Sequence, residues 1–150
     1  MKSEPDVFSI DQLKADKTTL WDGVRNYQAR NHMMNDMKKG DVVFFYHSNA
    51  KPSGIAGVAV VDKEAQPDPT QFDPKSEYFD PKSSKDSPRW HCVRLRYKRK
   101  FSEVLSLQTL KSQKKLKKMV LLNNSRLSVQ PVTQSEYNFI LDLEKENQNG

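Results

Sequence analysis

The 150-residue chain is long enough for one domain with a real core and too short for two ordinary ones, and 35% hydrophobic against 29% charged residues makes that core an economical one. No apolar run reaches the length of a membrane span, Met1 to Pro5 lacks the apolar segment of a secretory signal, and one cysteine, Cys92, excludes an intramolecular disulfide; the composition predicts an intracellular, reducing setting and no membrane. The net charge of +6 is unevenly spread, with eleven cationic residues and a single acid, Glu103, between positions 89 and 118, so a polyanion would approach from one side unless that face is merely solvated.

In chain order, residues 1–4 read as the end of a strand that Pro5 stops. Ser9 followed by Gln12 fits a capping box, and with Ile10 and Leu13 it predicts a short helix over 9–15. Trp21 sits before an Asp22-Gly23 bend, and nothing after Arg25 breaks a helix until Lys39-Gly40. This stretch is unusual in offering the planar donors and acceptors of Arg25, Asn26, Gln28 and Asn31, suited to the edge of a flat ligand. The competing reading is that Trp21 and Tyr27 are partly buried anchors while the amides cap turns.

Residues 41–47 are rich in β-branched and aromatic residues, a strand, and 55–61 form a second one with Gly57 marking a bulge or close approach; together they predict an antiparallel hairpin. Prolines 67, 69, 74, 81 and 88 forbid regular structure over most of 65–88, a long loop expected to be packed down by Phe72, Tyr78 and Phe79. Residues 90–101 alternate, with Val93, Leu95 and Tyr97 inward and Arg94, Arg96, Lys98 and Lys100 outward. Short helices over 106–112 and 116–122 flank a lysine-rich link, 125–131 reads as an edge strand or extended segment, and Thr133 with Glu136 caps a terminal helix over 133–145 that frays from 146. The sum is one α+β domain over 1–150, a curled antiparallel sheet packed by helices.

Catalytic machinery is not legible. His32, His47, His91 and Cys92 form no familiar metal pair, His91 points away from Cys92 in a strand, and the five glycines make no phosphate cradle. Metal and cofactor are therefore expected to be absent. What survives is aromatics, amides and hydroxyls in 21–31, 45–49 and 126–130 beside a cationic surface, the equipment that holds an unstacked base.

Met1 to Pro5, Trp21 to Asn31, Phe45 to Asn49, Pro88 to Trp90 and Arg126 to Pro131, in this order, resemble the EVE domain over nearly the whole chain. The resemblance implies a PUA-like fold, a small curved antiparallel β-barrel flanked by helices, and a pocket for a modified base, with methylated or oxidised cytosine as a ligand. An apolar strand start before Met1 and a basic tail of the eukaryotic nuclear members are missing, so a nuclear location is expected only if the chain follows those members, and a cytoplasmic one otherwise. Combining residues and resemblance, the expected base pocket comprises Ser3, Trp21, Val24, Arg25, Asn26, Tyr46, His47, Ser48, Arg126, Ser128 and Gln130, with Trp21 and Tyr46 stacking and Val24 meeting a methyl group. Phosphates are assigned to Lys2, Arg89, Arg94, Arg96, Lys98 and Lys100. The expected protein is a monomeric, non-catalytic reader of a modified base in DNA or RNA. The alternatives are an enzyme using the same pocket, with His47 as its acid or base, and a protein-interaction module using the basic face.

Overall fold

The computed structural model describes residues 1–124 and 126–149, with side chains described as far as residue 146. The elements are β1 (Lys2–Ser3), α1 (Ile10–Asp16), β2 (Thr18–Leu20), α2 (Tyr27–Asn35), β3 (Val42–His47), β4 (Gly54–Pro67), β5 (His91–Ser106), α3 (Leu107–Lys111), α4 (Val120–Asn123) and α5 (Gln134–Asn149), with 3-10 turns at Pro69–Phe72 and Lys114–Leu116. They form a mixed α+β fold around one curved sheet of order β1-β3-β4-β5-β2.

All pairs are antiparallel except β1 with β3. This departs from the expected antiparallel sheet, and the reason is connectivity: α1, β2 and α2 intervene between the two strands, a crossover long enough to bring the chain back in the same direction. The edge strand β2 is a second difference, because three residues leave too short a pattern to be read in sequence.

Side-chain alternation along β3 divides the core in two. Phe45 points to the side where Ile10, Leu13, Trp21, Ala29 and Met33 pack, whereas Phe44 and Tyr46 join Phe101, Leu110, Leu116 and Ile140 on the other. Helices thus cover both faces, which is why β3 and the first half of β4 read as unbroken apolar runs. Register shifts between Phe45 and Tyr46 and along the β4–β5 pair bend the sheet. At Gly57 a Cβ would lie 2.5 Å from the Arg99 carbonyl oxygen and 2.9 Å from Ile10 Cγ1, so only glycine lets α1 and β5 approach there.

Of the two predicted capping boxes, the one at Thr133 closes fully and the one at Ser9 only by half, because the Gln12 side-chain amide turns to Asp16 at 2.9 Å. Ser9 Oγ accepts from the Gln12 N–H at 3.1 Å, and Thr133 and Glu136 exchange their bonds at 2.9 and 3.1 Å. Helix α2 is shorter than expected at both ends, starting at Tyr27 because Asn26 Oδ1 caps it from the Ala29 N–H at 2.9 Å. Past Asn35 the chain leaves the helix well before Gly40, whose φ of 93° belongs to a later turn.

The segment 126–131 is bent and unpaired as a strand among the described residues, apart from a Lys2 N–H donating to the Ser128 carbonyl at 2.9 Å. Ser125, the first residue of that expected segment, lies outside the described residues, as does Gly150 of the expected fraying tail. The lysine-rich link is seated by Leu116 and Met119, both buried with Leu110 in the second core.

Candidate functional site

The long connection from β4 to β5 is ordered by polar knots more than by the expected aromatics. Phe79 is 40% and Tyr78 36% exposed, whereas Asp68 and Gln71 are fully buried. Gln71 Nε2 donates to the Asp68 and Trp90 carbonyls at 2.8 Å each, and its Oε1 accepts from Ser83 Oγ and from the Arg89 and Trp90 N–H groups. Asp68 Oδ1 accepts from the Thr70 N–H at 2.8 Å and its hydroxyl at 2.6 Å; Oδ2 accepts from the Gly23 N–H at 2.8 Å and Arg25 Nη1 at 3.1 Å. A loop that must be built from prolines and acids has little apolar surface to bury, so satisfied buried polar groups do the ordering.

Arg25 completes this knot. Its five N–H groups donate to the carbonyls of Val24 and Tyr78, the latter twice, to Thr70 Oγ1 and to Asp68. The guanidinium also lies 5.5 Å from the Tyr78 ring centre and 5.2 Å from that of Trp90. Arg25 is therefore spent on holding the loop against the 21–25 turn, with no donor left for a base edge.

Burial alone would raise the Asp68 pKa, but the bonds from Thr70, Gly23 and Arg25 outweigh it and hold the carboxyl below its ordinary value of 3.8. Unfolded Asp68 therefore binds a proton more readily than folded Asp68, and its stabilisation is complete above pH 3.8 and lost as the pH falls through the lower folded value. Acid titration followed by Tyr and Trp fluorescence is expected to report release of the loop below pH 3.8; a loop signal that is flat through that range would disprove this linkage.

Two neighbouring clefts gather most of the sequence-predicted pocket. The first, about 470 Å³, is lined by Lys2, Ser3, Phe8, Leu20, Trp21, Asp22, Val24, Arg25, Glu77, Tyr78 and Ser128, among others. The second, about 460 Å³, is lined by Tyr46, Ser48, Asn49, Arg126, Leu107 and Leu121, and shares Lys2, Ser3 and Ser128 with the first. Thus Trp21 and Tyr46, expected to act on one base, face different clefts on either side of the Lys2, Ser3 and Ser128 border. Their separation follows from the pleat: Phe45 packs with Trp21 while Tyr46 turns to the opposite core.

Trp21 is both wall and core, 8% exposed and set edge-on to Phe45 at 5.4 Å and Phe8 at 6.5 Å. Ser3 Oγ donates to the Phe8 carbonyl at 2.7 Å, leaving its lone pairs for a ligand. Three expected pocket residues line neither of the two clefts. Asn26 caps α2, and Gln130 donates to the Asn124 and Leu127 carbonyls at 2.9 and 2.6 Å. His47 Nε2 accepts the Ile10 N–H at 3.1 Å, capping the start of α1, and burial pushes its pKa down, so the ring is neutral.

Asp22, Glu77, Phe8 and Leu20 were not anticipated as wall residues. Asp22 carries a signal, since it adjoins Trp21, but Asp-Gly also reads as turn chemistry; Glu77 lies more than fifty positions along the chain, and the bonds of Arg25 to Tyr78 and of Gly23 to Asp68 bring its loop to the cleft. Burial, reinforced by nearby Asp68, raises the Asp22 pKa. Cys92 is buried, and its thiol is pushed up to about 12 by burial and by Asp68 and Asp22, far from reactive.

The expected phosphate ligands are placed unevenly. Arg94 and Arg96 both face Asp62, at 3.0 and 3.7 Å, and Lys100 reaches Asp11 at 2.8 Å. Arg89 approaches Asp80 at 3.5 Å and donates to Tyr27 Oη at 2.6 Å. Lys98 is exposed, and Lys2 borders both clefts. Among the described residues no cluster of three or more His, Cys, Asp or Glu could hold a metal ion, and no helix is long and apolar enough to cross a membrane.

Comparison with known proteins follows the same lines. The EVE domain profile matches residues 1–143. Human thymocyte nuclear protein 1 is 46% identical over 164 aligned residues, covering 97% of this chain and 72% of that protein. A hypothetical protein from Leishmania major superposes with a TM-score of 0.94 at 51% identity, over 99% of this chain and 94% of that one. The crystal structure of human THYN1 in complex with 5-methylcytosine-containing DNA superposes with a TM-score of 0.91 at 47% identity, over 96% of this chain and 95% of that one. With the profile and these relatives spanning nearly its whole length, and with their curved sheet and flanking helices reproduced, the chain belongs to the EVE domain family and has its PUA-like fold.

Proposed function

We propose that this protein is a non-catalytic reader of DNA carrying 5-methylcytosine, and that the first cleft receives the modified base. The observation that carries this reading is a cleft in which aromatic and apolar walls from Phe8, Leu20, Trp21 and Val24 meet the polar groups of Ser3, Asp22 and Ser128. The complex of human THYN1 with 5-methylcytosine-containing DNA, in a relative of this identity, supports it. A cytosine ring in the cleft has an exocyclic amine to donate, and a carboxylate is its natural acceptor, which assigns Asp22 to the base edge. Val24 meets the methyl group, worth about 0.8 kcal/mol or roughly fourfold in affinity. His47 supports reading over turnover: its ring is neutral and its Nε2 is occupied by the Ile10 N–H. The name of the human relative supports a nuclear site of action.

Binding of a duplex with one 5-methylcytosine and of its unmodified twin tests the assignment. Asp22→Ala is expected to weaken both by about tenfold, as loss of a charged hydrogen bond should. Val24→Ala is expected to reduce the modified-to-unmodified ratio toward one. Wild-type affinity in the first variant together with an unchanged ratio in the second would overturn the cleft assignment.

A further inference from the structure

The charge count made residues 89–118 one cationic region, but tertiary structure divides it. On β5 four of the five cations face carboxylates: Arg94 and Arg96 share Asp62, Arg99 meets Glu144 at 2.9 Å and Lys100 meets Asp11, while Lys98 is exposed. The lysines of the link between α3 and α4 are different. Lys111, Lys114, Lys117 and Lys118 are exposed, and among the described residues none lies within ion-pair distance of a carboxylate. Lys115 instead rests over the Phe139 ring at 5.4 Å. These lysines are held in place, because Leu110, Leu116 and Met119 between them are buried in the second core.

Their position relative to the clefts matters as much as their charge. Leu107, at the start of α3, and Leu121, in α4, both line the second cleft, so the lysine link joins two of its wall elements. Arg126 lines the same cleft, which borders the first through Lys2, Ser3 and Ser128. The cations of β5 line neither cleft. We propose that Lys111, Lys114, Lys117 and Lys118 form the phosphate-binding surface of this protein, gripping the DNA backbone that leaves the base cleft by way of the second cleft and Arg126. The inference rests on the reading of the first cleft as the base site. Unpaired lysines on a fixed scaffold surrender no protein ion pair when they take a phosphate, whereas Arg94, Arg96, Arg99 and Lys100 must each first give up a carboxylate.

The test is the salt dependence of binding for the same modified and unmodified duplexes. The variant K111Q/K114Q/K117Q/K118Q is expected to reduce the slope of log affinity against log salt by about 2 or more, since each lost phosphate contact removes about 0.9. It should weaken both duplexes alike and leave their affinity ratio unchanged. The comparison variant R94Q/R96Q/K98Q/K100Q is expected to change the slope by less than half as much. A wild-type slope in the lysine variant, or an equal or larger loss in the strand variant, overturns the proposal. Should the fourfold variant fold poorly, K114Q/K118Q carries the same test with an expected loss of about 1 or more. The two readings fail separately: wild-type protein that ignores the methyl group defeats the base-cleft reading, while the slopes still judge the lysines.

Discussion

Trp21→Ala is expected to destabilise the fold by about 3–5 kcal/mol, lowering the melting temperature by roughly 10 °C or more. The ring is 8% exposed and meets Phe45 and Phe8 edge-on, so its removal opens a cavity at the centre of the α1–α2 side of the core. The backbone at this position is also fixed, with the Trp21 N–H donating to the Val93 carbonyl at 2.9 Å, which limits collapse around the hole. Because the same side chain walls the first cleft, DNA binding should fall together with stability. Trp21→Phe keeps much of the packing and is expected to recover most of the melting temperature. Calorimetry checks the pair; a Trp21→Ala protein melting within about 2 °C of wild type would mean that the ring is not part of the core.

Asp68→Asn is the second large effect, an expected loss of about 3–5 kcal/mol for a substitution that adds no bulk. Each oxygen of Asp68 accepts two donors, so an amide NH₂ at either position must face a pair of N–H or O–H groups, with Arg25 or Thr70 among them. The damage should be local before it is global. Hydrogen exchange is expected to rise first in the 68–90 connection and in the 21–25 turn, and the Tyr78 and Glu77 wall of the base cleft should loosen with them. The variant should also lose the acid-sensitive component assigned to this carboxyl. Wild-type exchange throughout 68–90 in Asp68→Asn would show that the loop is ordered by other means.

Some of this was written locally. The N-cap at Ser9, the capping box at Thr133, the strand 41–47 and the alternation of β5 are short-range patterns, and short-range patterns survive because a helix or strand is decided by neighbours a few residues away. The stretch 21–31 also announced itself, but its parts were sorted by tertiary contacts that composition does not reveal. Trp21 and Val24 line the cleft, Arg25 is consumed by a loop carbonyl some fifty residues away, and Asn26 ends as the cap that the competing reading had allowed.

What the chain determined by itself is its family, its α+β class, its strong strands and the presence of a base-sized set of aromatic and hydroxyl groups. Only the tertiary structure decided that Trp21 and Tyr46 lie on opposite sides of a sheet, that Asp22 joins the wall, and that Arg94, Arg96, Arg99 and Lys100 of β5 are paired with carboxylates while Lys111, Lys114, Lys117 and Lys118 are not. The physical reason is common to all three. Secondary structure and composition depend on residue type and spacing, but a pocket wall or a free charge depends on which distant carboxylate, carbonyl or ring the fold brings within a few ångströms, and that is set by strand order and packing.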